Sequence, residues 1–239
     1  MAKAPVPGQA KTRLMPALTA DEAAALGAAF LRDITHNIAA AAVHAPIDGW
    51  VAYAPAGSDH LLKDCTAPGT AFLLADGAIE LPGRVQGFGR SLLHAMQGLV
   101  GRGYAAACLV NSDSPTLPTN LLTEAASLLL EEPERIVLGP AEDGGYYLIG
   151  MSTPHAGLFE DIAWSTSSVA AQTRARAAAL GLKLVNLEPW YDVDQPALLE
   201  RLVEELDTRS SGARPHYAAP ATAACAHLLG LRERFRTAK

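Results

Sequence analysis

The run Ala105-Ala106-Ala107-Cys108-Leu109-Val110, followed at once by Asn111-Ser112-Asp113-Ser114, constrains this chain more than any other segment. A short apolar run bounded by polar and turn residues predicts a strand buried on both faces. The carboxylate at its end then emerges at the carboxyl edge of a sheet, where open α/β sheets bind their ligands. A second acidic pair, Asp192-Val193-Asp194, follows the run Lys183-Leu184-Val185-Asn186-Leu187 in the same way. Carboxylates at two strand ends can hold one hard divalent cation between them. A metal so placed is a usual grip on a nucleotide pyrophosphate.

The surrounding pattern agrees with a sheet. Strands are predicted over 49–53, 71–74, 105–110, 135–138, 146–149 and 183–187. Between them fall helical patterns over 20–42, 58–65, 89–101, 119–131, 168–180, 196–206 and 221–235. Thr19 and Glu22 form a capping box at the first helix, and Leu26, Phe30, Ile34 and Ile38 give it an apolar stripe. Arg32, Asp33, His36 and Asn37 mark that stretch as a helix of a soluble protein. Alternating strands and helices imply βαβ units and a mostly parallel mixed sheet with helices on both faces. The main domain is expected over 1–208. Residues 209–239 would form a linker, 209–215, and one C-terminal helix that packs on the domain or extends it.

Composition narrows the function. Hydrophobic residues make up 49% and charged residues 18% of the 239, enough for a sizeable core and against disorder. A net charge of -6 argues against non-specific nucleic-acid binding. Cys65, Cys108 and Cys225 are odd in number, far apart and without a CxxC, so no disulfide framework or structural zinc is expected. A reducing cytoplasm is the natural setting. No stretch reaches the roughly 18 apolar residues of a membrane span, and no signal peptide opens the chain. No histidine pair has metal-ligand spacing such as HExxH.

The loop from Lys3 to Arg13 carries the second chemical signal. Gly8 allows close backbone approach, and Lys11, Thr12 and Arg13 supply ammonium, hydroxyl and guanidinium donors able to cradle a phosphate chain. It is not a Walker A loop, because Ala10 stands where that motif has Gly. A solvated basic connector is the alternative. Asp113 and Asp194 could likewise be helix caps, and Asp143-Gly144-Gly145 a tight turn. Trp190 and Tyr191 could stack on a sugar or simply pack in the core.

Five segments together resemble a known family: Lys3 to Leu14 (KAPVPGQAKTRL), Ser112 to Pro115 (SDSP), Gly139 to Gly150 (GPAEDGGYYLIG), Trp164-Ser165-Thr166 and Asp192-Val193-Asp194. They are similar to the glycosyltransferase-like group associated with radical-SAM and selenium-domain proteins. That group is a branch of the nucleotide-diphospho-sugar transferase (GT-A type) superfamily. The resemblance spans roughly Met1 to Leu206. It implies a Rossmann-like GT-A three-layer sandwich and a metal-dependent transferase, with Mg²⁺ or Mn²⁺ held by Asp113 and Asp194. It implies nucleotide contacts at Lys3, Pro7, Gly8, Lys11, Thr12, Arg13, Gln86, Gly87, Ser112 and Asp113. Catalytic roles fall to Asp113, Asp143 and Lys11, and acceptor contacts to Gly144, Gly145, Tyr146, Trp164, Ser165 and Thr166.

Two positions depart from the family pattern. Asn111 replaces the first carboxylate of its Asp-x-Asp element, and Phe88 stands where an acidic residue is common. The strand that usually feeds the Lys3 loop is nearly missing, through a late start-site assignment or trimming, and an exposed ladder would lower stability. The expected partners are a nucleotide-sugar or NTP and a small-molecule acceptor, with no nucleic acid, no membrane and a possible homodimer. Nucleotidyl transfer from an NTP and non-catalytic nucleotide binding are the alternative functions.

Overall fold

The computed structural model describes residues 1–207 and 215–237. Among these residues, seven strands and seven helices form an α/β arrangement. The strands are β1 (Ala2–Lys3), β2 (Trp50–Ala54), β3 (Ala71–Leu74), β4 (Ala107–Val110), β5 (Ile136–Pro140), β6 (Tyr146–Met151) and β7 (Leu184–Asn186). The helices are α1 (Ala20–Ala41), α2 (Phe88–Val100), α3 (Thr119–Glu131), α4 (Val169–Ala179), α5 (Pro196–Asp207), α6 (Pro220–Leu228) and α7 (Leu231–Thr237). One sheet, in the order β1-β2-β3, is all parallel. The other runs β4-β6-β5-β7, with β6 antiparallel to both neighbours and β7 parallel to β5. The Met1 ammonium donates to the Val110 carbonyl at 2.8 Å, so β1 meets the end of β4 and links the two sheets. An apolar cavity of about 190 Å³, lined by Trp50, Val51, Ala107, Leu109 and Leu129 among others, lies between β2 and β4.

Continuous apolar strands have two buried faces here. Val110 and Val137 point into a core with Leu26 and Phe30 of α1, Leu121 of α3 and Leu199 of α5. Their neighbours Leu109, Ile136 and Leu138 point into the opposite core with Leu92 and Met96 of α2 and Ala170 and Ala177 of α4. Successive side chains alternate across a strand, so helices cover both faces. No helix among the described residues is long and apolar enough to cross a membrane.

Two element assignments differ from the sequence expectation. Residues 58–65 form two 3₁₀ turns, Asp59–Leu61 and Lys63–Cys65, rather than one helix. The C-terminal helix is two: Leu229 caps α6, and Gly230 at φ +60° redirects the chain into α7. Gly reaches that backbone conformation without the steric cost of a Cβ. The expected linker falls mostly outside the described residues, which resume at Pro215.

Arg32 and His36 of α1 face water, but Asp33 and Asn37 do not. Asp33 is 1% exposed and Asn37 is fully buried. The Asp33 carboxylate accepts from the Ala221 N–H at 3.0 Å and the Thr222 N–H at 2.7 Å, satisfying the free amides at the start of α6. Asn37 donates to the Leu117 carbonyl at 2.6 Å and accepts from the Thr119 hydroxyl at 2.6 Å, which fixes the start of α3. One face of α1 therefore anchors two other helices through hydrogen bonds. Asp33→Ala should cost roughly 2–3 kcal/mol in urea unfolding, because two buried amides lose a charged acceptor. It should also make the C-terminal helices the first segment cut in limited proteolysis.

Candidate functional site

A cavity of about 550 Å³ opens at the carboxyl ends of β1 and β4. The chain reaches it from four directions. The Lys3–Arg13 loop leaves β1, residues 111–113 leave β4, and the 141–145 turn joins β5 to β6. The segment after β7 arrives by pairing onto the end of β5, where Trp190 N–H donates to the Pro140 carbonyl at 3.1 Å and Glu142 N–H to the Trp190 carbonyl at 3.0 Å. Val193 N–H then donates to the Asp113 carbonyl at 2.7 Å. That bond sets the two carboxylate-bearing segments side by side.

Lys11 lies at the centre. Gln9 and Ala10 N–H groups both donate to the Val6 carbonyl at 3.0 Å, closing a tight turn around Gly8 at φ +74°. Lys11 itself adopts φ +50°, a left-handed conformation that is costly for a residue with a side chain. Its ammonium sits 2.8 Å from Asp113 Oδ1, 3.5 Å from Asp194 Oδ1 and 3.0 Å from the Val193 carbonyl. The Phe30 ring centroid is 4.7 Å away. All three ammonium donors have an acceptor, and the side chain is only 8% exposed. Arg13 is 60% exposed and donates to Asp194 Oδ2 at 3.1 Å. Its other nitrogens carry no protein hydrogen bond among the described residues.

The carboxylates differ in environment. Burial works against the charge of Asp113, but Lys11 beside it and the Ser112 hydroxyl at 3.2 Å hold its carboxyl below the ordinary value. Asp194 goes the other way, raised by burial and by Asp113 despite Lys11 and Arg13. Asp192 is pushed up to about 6 by burial and by Asp143, Asp194 and Asp113. The wall carries Asp113, Asp143, Asp192 and Asp194 against Lys3, Lys11 and Arg13.

This donor set fits a hard divalent cation bound together with phosphate. Among the described residues no three His, Cys, Asp or Glu side chains are grouped to hold a metal by themselves. Mg²⁺ ordinarily takes one or two carboxylates and completes its shell with water and substrate phosphates. Asp113 and Asp194, with side chains 29% and 26% exposed, would supply such a pair. An acidic wall would repel a diphosphate arriving without such a counter-ion.

The structure brings Lys3, Lys11, Thr12, Arg13, Ser112, Asp113, Asp143, Gly145, Tyr146 and Asp194 to the cavity wall. Pro7 and Gly8 shape the loop from behind. Gln86 points to the Gly83 carbonyl at 3.4 Å, and Gly87 starts α2 at φ +54°. Trp164 packs edge-on against Phe88 with centroids 5.7 Å apart, over the start of α2. Ser165 takes φ +63°, and Thr166 donates to the Ala163 carbonyl at 2.7 Å. None of these five residues, Gln86, Gly87, Trp164, Ser165 and Thr166, is on the cavity wall. Gly144, at φ +93°, has no room for a side chain: a Cβ would stand 2.0 Å from the Ser167 carbonyl oxygen. Asp143 Oδ1 accepts from Gly145 N–H at 2.8 Å, so the turn and the carboxylate are one device. Trp190 and Tyr191 are core residues, 5% and 1% exposed.

Sequence reasoning did not single out Tyr53, Asn111 or Ser91 as part of the wall. Asn111 Oδ1 accepts from the Asp113 N–H at 3.2 Å, so it orients the carboxylate it precedes. Its place in the Asp-x-Asp element was the available signal. Tyr53 and Ser91 carried none.

Asp192 gives a pH test. Its folded value of about 6 exceeds the ordinary 3.8, so the folded state binds this proton more tightly than the unfolded chain. The stabilisation is full below pH 4 and is lost as pH rises through 6. Asp192→Asn should therefore be more stable than the parent above pH 6, by roughly 1–3 kcal/mol, with the difference shrinking toward pH 4. Urea unfolding at pH 4, 5, 6 and 7.5 in EDTA measures it.

The comparisons with known proteins bear on the family and the fold. No curated protein matches the chain. Among solved structures it is similar to a provisionally assigned nucleotide-diphospho-sugar transferase from Desulfovibrio desulfuricans G20, at 29% identity and a TM-score of 0.75. That match covers 96% of this chain and 93% of the other. The fold is thus that of a nucleotide-sugar transferase. The family described as uncharacterized proteins conserved in bacteria matches residues 37–166, over half of the sequence, and the chain belongs to that family, DUF2064.

Proposed function

We propose that this protein is a transferase that uses a nucleotide-diphospho-sugar donor and passes the sugar to a hydroxyl-bearing small molecule. One observation carries the reading: Lys11 and Arg13 converge with Asp113 and Asp194 in a cavity at the carboxyl ends of the strands. Cations for a diphosphate and oxygen ligands for its counter-ion are there in one place. The likeness to the Desulfovibrio desulfuricans G20 protein supports it independently.

Each residue then has a definite task. Arg13 offers free guanidinium donors at the mouth of the cavity and grips the diphosphate oxygens. Asp113 and Asp194 would hold Mg²⁺ or Mn²⁺, which would supply charge stabilisation for the departing diphosphate. The acceptor oxygen forms a bond to the anomeric carbon. The bond from that carbon to the diphosphate oxygen breaks, and its electron pair leaves with the nucleoside diphosphate. Asp143, fixed by its turn, takes the acceptor proton. Three unpaired cysteines agree with action in the cytoplasm.

Melting curves with UDP-, GDP-, CDP-, ADP- and dTDP-sugars and with NTPs, each with Mn²⁺ or EDTA, test the proposal. One nucleotide sugar should raise the melting temperature, and only with metal, since a ligand of the native state stabilises it by mass action. A rise with an NTP alone, with pyrophosphate released, would replace sugar transfer by nucleotidyl transfer. Asp113→Asn should lower turnover of the identified donor by on the order of 10²-fold or more. Full activity in that variant would remove Asp113 from the site.

A further inference from the structure

The Lys11 ammonium stands in the seat that the reading above gives to the metal. It touches Asp113 Oδ1 at 2.8 Å and Asp194 Oδ1 at 3.5 Å, the same pair of carboxylates. Two cations cannot share those oxygens at contact distance, because like charges that close repel strongly in a partly buried site. The lysine is not there by accident of a flexible side chain. Its backbone is held at φ +50°, its third donor is bound to the Val193 carbonyl at 3.0 Å, and the Phe30 ring lies beneath it. Arg13 is different: it is exposed, and among the described residues its side chain bonds Asp194 through the other oxygen, Oδ2.

We infer that Lys11 is a resident counter-ion that makes the divalent metal bind together with the diphosphate rather than before it. Resting on the transferase reading, the sequence of events is an exchange of ion pairs. Without ligand, Lys11 neutralises Asp113 and Asp194 and keeps free metal out. When the metal and diphosphate arrive together, the metal takes the two carboxylates. The displaced ammonium gains a new anion, the diphosphate, which the incoming complex brings with it. No bond is made or broken. The lysine's loss of two carboxylates is offset only if phosphate is present, so metal and diphosphate affinities are coupled, and by linkage each raises the other. Lys11 is a positioning residue in this scheme until the exchange, and a phosphate contact after it.

Titration with Mn²⁺ alone, read from the electron paramagnetic resonance signal of free Mn²⁺, tests this without any turnover. Lys11→Met should bind Mn²⁺ roughly tenfold more tightly than the parent, the size of one close ion pair in partly screened surroundings. Arg13→Met removes an equal charge from the same cavity and should gain less than about threefold. Melting curves guard against simple loss of fold. Lys11→Met should melt lower than the parent in EDTA, from Asp113–Asp194 repulsion, and should recover more than the parent does on adding Mn²⁺. A lysine that is only structural would lower the melting temperature with and without metal alike. The double variant Lys11→Met/Asp113→Asn should lose the gain in Mn²⁺ affinity. Unchanged or weaker Mn²⁺ binding in Lys11→Met, or an equal gain in Arg13→Met, overturns the inference. Failure of every nucleotide sugar to bind the parent would instead overturn the transferase reading while leaving the Mn²⁺ result standing.

Discussion

The contact on which the site depends is the ion cluster of Lys11 with Asp113 and Asp194. It joins three segments far apart in sequence: the first loop, the end of β4 and the segment after β7. Each alone would be an exposed, weakly ordered charge. Together they leave water partly, and the interaction gains strength where screening is poor. The backbone bond from Val193 to Asp113 sets the spacing, and the left-handed Lys11 residue aims the ammonium. Strain of that kind persists where surrounding structure over-determines the position.

The scaffold supports the cluster through two buried polar side chains of α1 that both have partners. Asp33 and Asn37, on one turn of α1, tie down α6 and the start of α3. Phe30, three residues before Asp33, lies under Lys11. One helix thus serves the core, the C-terminal helices and the site. The acid-rich side of the cavity is less well compensated, which is why burial and neighbouring carboxylates push Asp192 up to about 6. Uncompensated charge beside a cleft is characteristic of sites that await a ligand.

Much of this was legible in the sequence. Apolar runs ending in carboxylates marked β4 and β7 with the acids beyond them; β4, buried on both faces, needs such an unbroken run, while β7 is an edge strand and only half-buried. The capping box gave the start of α1. The misreadings have physical causes. Residues 58–65 have too few apolar positions to commit to an α-helix and settle as 3₁₀ turns. Gly230 broke the last helix in two. The expected acceptor residues Trp164, Ser165 and Thr166 are a separate matter: packing against Phe88 and the local turn set their places beside the start of α2.

By itself the sequence determined the layer architecture and which strand ends carry carboxylates, since hydrophobic period and turn chemistry are local properties. It also placed Lys11 and Arg13 on a loop leaving the first strand. Only the tertiary structure decided that the Lys11 ammonium lies between Asp113 and Asp194 rather than in solvent, and that Asp33 and Asn37 face inward. Those facts depend on distances across segments that are remote in sequence. Partner, distance and screening fix the energy of a charge, and none of the three exists before the chain is folded.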